Sequence, residues 1–302
     1  MRIFVAGASG AIGQPLIAEL LRQGHTVTGM TRSDAGGERV SRLGASVAQI
    51  SAFDRAAVEQ ALRRSRAEVV VDELTALPPH PSGMAAAAPG DRRLRLEGGG
   101  NLYAAALACG VRRYAQQASA FFLRPGVGLA DESEGLAVDA SPSVAASART
   151  YTELEARVLA PSRMEGVALR YGFFYGPNTW YDRDGAAAAQ ARSQEIPIIG
   201  DGNGVWSWVH VEDAAVATAA ALTAPPGIYN IVDDDPSPLN HWLPQFARWL
   251  GAPPPPRVTV EQARTMGGED AVYYGTRLRG ASNAKAKEIL KFAPRRLTWL
   301  AG

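Results

Sequence analysis

The chain has 302 residues, with 31 basic and 30 acidic side chains for a net charge of +1, and 46% of it is apolar. That length suits a large domain or a large and a small one, and the even charge excludes an electrostatic nucleic-acid binder. Cys109 is the single cysteine, so no internal disulfide can form, and a reducing compartment is expected.

The opening "RIFVAGASG" is an apolar run ending in glycine and carries no secretory signal pattern. No apolar stretch approaches the roughly 18 residues a membrane span needs, so the expectation is a cytoplasmic protein without membrane partners. "IFVAG" predicts a first strand, and "AIGQPLIAELLRQG" a helix with apolar spacing at Ile12, Leu16, Leu20 and Leu21. "HTVTGMTR" predicts a second strand, "AGGERVSRLG" a weak helix and "ASVAQIS" a third strand. Asp54 then caps the helix "RAAVEQALRRS", and "AEVVVDEL" is a fourth strand. This alternation predicts an α/β fold with a parallel sheet covered on both faces, a doubly wound Rossmann sheet. Residues 78–91, "PPHPSGMAAAAPGD", break the pattern and read as a mobile loop or lid.

Beyond them come a helix at "NLYAAALACG", a strand at "RRYAQQAS", a helix around Tyr151 in "SARTYTELEARVL", and the strand "GVALRYG". A helix through "AAAAQARSQ", a turn "GDGNG", a strand "WSWVHV", a helix "EDAAVATAAALT" and a strand "GIYNIVD" follow, then a proline-interrupted helix at "HWLPQFARWLG". The expected division is a dinucleotide-binding domain of residues 1–170 plus about 205–235, with a smaller substrate-binding domain of about 171–204 plus 236–302.

"GASGAIG" sets Gly7, Gly10 and Gly13 between the first strand and first helix, with Ser9, Ala11 and Ile12 in the same turn. The first glycine permits the sharp turn, the second a close approach of backbone N–H groups to a pyrophosphate, and the third close packing of helix on strand. The helix N-terminus adds unpaired donors and partial positive charge. Dinucleotide binding is the expected role. An NAD site ends its second strand with an acid for the ribose 2′-hydroxyl; here Thr31, Arg32 and Ser33 stand in that place, which suits a 2′-phosphate and predicts NADP(H).

Together with "VVVDELTALP", "EGGGNLYAAALACGVRRY", "LRYGFFYGP", "WVHVEDAA" and "YNIVDDDP", these residues resemble the extended short-chain dehydrogenase/reductases, the NAD-dependent epimerase/dehydratase family, over nearly the whole chain. The resemblance implies that Leu74, Thr75 and Ala76 run along the cofactor ribose, and that Tyr171, Gly172, Phe173 and Phe174 line the nicotinamide. It also implies that Ser119 polarises a substrate carbonyl. The family's helix carries Tyr-x-x-x-Lys, often with an acid four residues further on. Here lysine occurs only at 285, 287 and 291, and Glu155 follows Tyr151 by four. If Glu155 is the acid, Tyr151 takes the lysine position and Ser147 that of the tyrosine; if Tyr151 is the tyrosine, Glu155 replaces the lysine.

An unassisted tyrosine has a pKa of about 10 and donates a proton poorly. Hydride transfer from a nicotinamide still proceeds if the substrate needs no strong protein acid. A ketone beside its own phenolic hydroxyl meets that condition, so the expectation is an NADPH-dependent ketoreductase acting on an aromatic, angucyclinone-like polyketide. Ser119 and Tyr151 are the candidate catalytic residues, and Phe121, Phe122, Phe174, Tyr175, Trp180, Tyr181 and Trp206 the candidate substrate wall. His210, next to Glu212 and Asp213 at a helix start, reads as structural, and no residue cluster has metal-ligand spacing. The alternatives are a sugar-nucleotide epimerase or dehydratase and a non-catalytic NADP(H)-sensing regulator, as a monomer or homodimer.

Overall fold

"RIFVA" and "VVVD" are short strands buried at nearly every position, as parallel strands covered on both faces must be. The computed structural model describes residues 1–301. Its elements begin β1 (Arg2–Ala6), α1 (Gly13–Arg22), β2 (Thr26–Thr31), α2 (Asp34–Arg42), β3 (Ser46–Gln49), α3 (Arg55–Ser65) and β4 (Val69–Asp72). Then come α4 (Met84–Arg93), a π-turn over Leu94–Gly98, α5 (Gly99–Ala108), β5 (Arg113–Ser119), α6 (Pro142–Leu159), β6 (Glu165–Tyr171) and β7 (Phe173–Tyr175). The last part holds α7 (Ala186–Arg192), β8 (Ile198–Ile199), β9 (Val205–Trp206), β10 (Trp208–His210), α8 (Val211–Ala221), β11 (Gly227–Ile231) and β12 (Ser237–Pro238). It ends with α9 (Leu239–Leu250), β13 (Arg257–Val258), α10 (Val260–Thr276) and α11 (Ala284–Ile289).

Seven strands form one parallel sheet in the order β11-β6-β5-β4-β1-β2-β3. The order reverses between β1 and β4, and in such a sheet the crevice outside the carboxyl ends at that point is where a dinucleotide lies. One face is packed by Leu102, Leu154 and Val158, the other by Leu16, Ile17 and Ala214. A third core joins Tyr175, Trp208, Trp242, Phe246 and Trp299 beyond the sheet's edge. The Asp54 carboxylate accepts from the Ala57 N–H at 3.0 Å, capping α3 as its sequence predicts.

The segment 78–91 differs from the expected open loop. Ala85–Ala88 are strong helix formers, and α4 carries Pro89 within it. Long-range contacts hold the segment: the Trp180 indole donates to the Pro78 carbonyl at 3.1 Å, the Ala76 N–H to Asp91 at 2.6 Å, and Arg92 to the Thr150 hydroxyl at 2.9 Å. "WSWVHV" is likewise split into β9 and β10, because the Ser207 hydroxyl accepts from the Ala281 N–H while its carbonyl accepts from Phe173.

Candidate active site

Gly7 sits at φ +75°, and a Cβ there would run into the Glu73 carbonyl. A Cβ at Gly13 would meet the carbonyls of Gly7 and Ala8. The loop is therefore built at backbone-to-backbone distance, and the Gly10 N–H closes it onto the Gly7 carbonyl at 3.0 Å. Gly10 is exposed, Ser9 and Ala11 are half-buried, and Ile12 is a correction: its side chain is 5% exposed and packs with Leu16 in the core, leaving only backbone for a ligand. The Gln14 amide braces this turn by donating to the Ser9 carbonyl at 3.2 Å, and a glycine cradle at the α1 N-terminus fits a pyrophosphate.

At the end of β2 the hydroxyls of Ser9 and Thr31 lie 3.2 Å apart, and the Ser33 hydroxyl accepts from the Gly36 N–H at 3.2 Å as the α2 cap. A Cβ on Gly36 would touch all three hydroxyls, so they converge on one point. Arg32 beside them is exposed, while Asp34 is engaged by Gln49 at 2.6 Å. Three hydroxyls, a helix N-terminus and a free-standing guanidinium can hold either a ribose hydroxyl or a phosphate.

Leu74, Thr75 and Ala76 leave β4 half-buried along the crevice. Behind them Glu73 is 3% exposed; its Oε1 accepts from the Tyr171 hydroxyl at 2.9 Å and its Oε2 has no partner. Burial pushes its carboxyl up to about 8, against the opposing Tyr171 hydrogen bond. Tyr171 also shares its hydroxyl with Thr218 at 2.6 Å and is 2% exposed. Tyr171 thus belongs to the core beneath the crevice rather than to a nicotinamide wall. Nothing in the local sequence marks Glu73, because a carboxyl in "VVVDEL" reads as a strand end.

Alternation along β7 corrects the aromatic assignments further. Phe173 and Phe174 point to opposite sides, so Phe174 packs on Tyr171 at 5.2 Å, away from Phe173. Tyr175 is 2% exposed and fills the third core with Trp299, and Phe122 is 6% exposed beneath α6. The remaining aromatics do converge. Phe121 stacks on Phe173 at 4.3 Å, and Phe173 on Trp206 at 4.2 Å. Tyr181 stands edge-on to Trp208 at 4.7 Å, and Trp180 is half-buried near the 78–91 segment through its bond to Pro78. Tyr274, which no sequence pattern singled out, closes this wall 5.9 Å from Trp206, whose indole donates to the Tyr274 carbonyl at 3.1 Å.

Ser119, at the end of β5, is 1% exposed and its hydroxyl accepts from the Phe121 N–H at 3.4 Å. On α6, Tyr151 lies 5.6 Å from Phe122, with the Arg95 guanidinium 5.0 Å over its ring. Burial pushes the Tyr151 phenol up, and Arg95 opposes this. Arg95 itself is 5% exposed, held by Asp91 at 2.7 Å and Gln117 at 2.8 Å. Glu155, one turn after Tyr151, grips Arg170 with both oxygens, at 2.6 and 2.8 Å. His210 caps α8, its Nδ1 accepting from the Glu212 N–H at 3.2 Å. No group of His, Cys, Asp and Glu among the described residues could hold a metal ion, and none of their helices is long and apolar enough to cross a membrane.

Residues 3–232 match the NAD dependent epimerase/dehydratase family. Over its full length the chain is 40% identical to a 3-diazoavenalumate denitrifying reductase from a Streptomyces species, covering 99% of that protein. The fold is that of the UDP-glucose 4-epimerase of Thermus thermophilus, solved with NAD, at a TM-score of 0.75 and 24% identity over 99% of this chain and 96% of that one. It is equally that of the dTDP-glucose 4,6-dehydratase DesIV of Streptomyces venezuelae, at 0.77 and 18% over 99% and 93%. The chain belongs to the NAD-dependent epimerase/dehydratase family, the extended short-chain dehydrogenase/reductases, as an oxidoreductase built around a nicotinamide dinucleotide.

Proposed function

We propose that this chain is an NADPH-dependent reductase of an aromatic small molecule, delivering hydride to an acceptor that takes no proton from the protein. One observation supports the reading: Glu155 is held by both oxygens on Arg170 and so is not free to assist Tyr151, which favours the register with Tyr151 in the lysine position of the family's dyad and Ser147 in that of the tyrosine. No lysine precedes Lys285 to complete a pair in any register. Bound in the crevice, a reduced nicotinamide supplies hydride. The chain's residues orient the acceptor on the Phe121–Phe173–Trp206 wall and keep water away, which is where positioning gains its part of the barrier.

The acceptor favoured first is an aromatic diazo compound, as the name of the full-length relative suggests. A ring carbon bearing N2⁺ gains hydride, the carbon–nitrogen bond breaks, and dinitrogen leaves with the bonding pair. Charge balances with no proton transferred. The second acceptor is the ketone of an aromatic polyketide, which the stacked rings of Phe121, Phe173 and Trp206 favour. There the carbonyl carbon gains hydride and the alkoxide takes its proton from the neighbouring phenol.

The test is transfer from 4-deuterated NADPH to 3-diazoavenalumate and, separately, to a peri-hydroxylated aryl ketone. Deuterium on the ring with equimolar dinitrogen establishes the first reading, and deuterium at a carbinol carbon the second. Reduction of neither, with interconversion of UDP-glucose, would establish a sugar-nucleotide epimerase instead. Under either hydride reading Ser119→Ala and Tyr151→Phe keep kcat within about tenfold, against the 10²–10⁴ that loss of a general acid usually costs; a larger fall in kcat shows an essential protein donor.

The converging hydroxyls of Ser9, Thr31 and Ser33 beside Arg32 favour a 2′-phosphate. Arg32→Ala is expected to weaken NADPH binding about 10- to 100-fold, the range of a lost charged hydrogen bond, and NADH hardly at all. Equal weakening of both in fluorescence titrations sinks the phosphate assignment.

A further inference from the structure

We infer that Gln49 is a positioning residue for cofactor choice: by tying down Asp34 it keeps the Arg32 guanidinium open for the 2′-phosphate. The inference rests on the phosphate reading above and adds the residue that protects it.

The start of α2 sets two opposed demands side by side. Asp34 is the first residue of the helix, where unpaired N–H groups and the positive end of the helix dipole favour a carboxylate. Arg32 stands two residues before it, and no other acid lies within five residues of Arg32. A guanidinium that pairs with a neighbouring carboxylate is lost to an arriving phosphate, because both want the same fork of N–H donors. Arg32 and Asp34 are both exposed, so packing does not keep them apart.

A polar tie does. β2 and β3 pair in parallel with Thr31 opposite Gln49, which brings the Gln49 amide alongside the first turn of α2. Its Nε2 donates to Asp34 Oδ1 at 2.6 Å. Its Oε1 lies toward the α2 backbone at Gly37, where an added Cβ would stand 3.6 Å from it. The amide therefore rests on α2 with its donor end on Asp34. An exposed ion pair is weak, worth at most about fivefold in an equilibrium, so one hydrogen bond to the carboxylate suffices to outcompete it. The Arg32 side chain accordingly carries no acid among the described residues and stands beside the Ser9, Thr31 and Ser33 hydroxyls.

The test is fluorescence titration of NADPH and NADH with wild type, Gln49→Ala, Asp34→Asn and the double variant. Gln49 and Asp34 are exposed, and melting temperatures check that each variant folds. Gln49→Ala is expected to weaken NADPH about two- to fivefold, the range of an exposed pair competing for Arg32, and to leave NADH unchanged. Asp34→Asn alone stays within about twofold of wild type, its carboxylate being tied already, and added to Gln49→Ala it restores NADPH binding. In an Arg32→Ala background the Gln49 change is silent. A merely structural Gln49 would weaken both dinucleotides and would not be rescued at Asp34. Unchanged NADPH binding in Gln49→Ala, equal loss for NADPH and NADH, no rescue by Asp34→Asn, or an effect that persists without Arg32 each overturn the tie. The two readings fail separately. Equal weakening of both dinucleotides by Arg32→Ala rejects the phosphate site, whereas a discriminating Arg32→Ala with a silent Gln49→Ala rejects the tie alone.

Discussion

Glu155→Ala is expected to destabilise the fold by about 3–5 kcal/mol, the cost of removing one partner from a buried ion pair. The carboxylate meets Arg170 through two parallel bonds of 2.6 and 2.8 Å, with 9% and 3% of the two side chains exposed. A third Arg170 nitrogen donates to the Glu134 carbonyl at 3.0 Å, so the guanidinium cannot swing out to water when its partner is gone. Urea denaturation of the alanine variant measures the loss. Melting like wild type would show that the pair contributes nothing. Glu155→Gln keeps one acceptor and is expected to lose less. The pair ties α6, the helix that carries Tyr151, to β6. If Glu155 instead took part in chemistry, the glutamine variant would lower kcat while leaving stability intact.

The sheet was legible because its signals are local. Apolar runs such as "VVVD", a glycine turn at the first strand's end and an acid before "RAAVEQALRRS" each specify their own element, and all three formed. The aromatic wall was legible in part: Phe121, Phe173 and Trp206 stack, but which aromatics turn inward depends on strand phase, and that placed Phe174 and Tyr175 elsewhere. What stayed hidden depends on partners far away in the chain. The ordering of residues 78–91 rests on Trp180, Thr150 and the Ala76 N–H. The inward turn of Arg95 rests on a π-turn and on Gln117, neither of which has a sequence signature. Near the C-terminus, α10 lacks an apolar period and bends at Gly268, φ +70°, so Tyr274 reached the wall unannounced.

Glu73→Gln is expected to flatten the fall in stability between about pH 4.5 and pH 8. In the folded chain burial raises the Glu73 carboxyl from its ordinary 4.5 to about 8. Below 4.5 the group is protonated in both states and adds no pH dependence. As pH rises toward about 8 the unfolded chain releases the proton and the native one keeps it, so native stability falls, and it levels off above. The gap between 4.5 and about 8 sets an upper limit of roughly 5 kcal/mol. Asp233, raised to about 8 by burial, adds a fall of the same sign over nearly the same window, so the variant removes part of the slope and not all. Denaturation at pH 6 and pH 9 reads the difference; an unchanged slope in Glu73→Gln would mean that the carboxyl is hydrated in the native chain. The same ionisation reaches the cofactor site, because the Glu73 carbonyl lies against Gly7 and its Oε2 has no partner to receive a charge. Above pH 8 the wild-type chain must admit water beneath the glycine loop or shift it. Dinucleotide affinity should therefore decline there in the wild type and hold in the glutamine variant, whose neutral side chain can still accept from Tyr171.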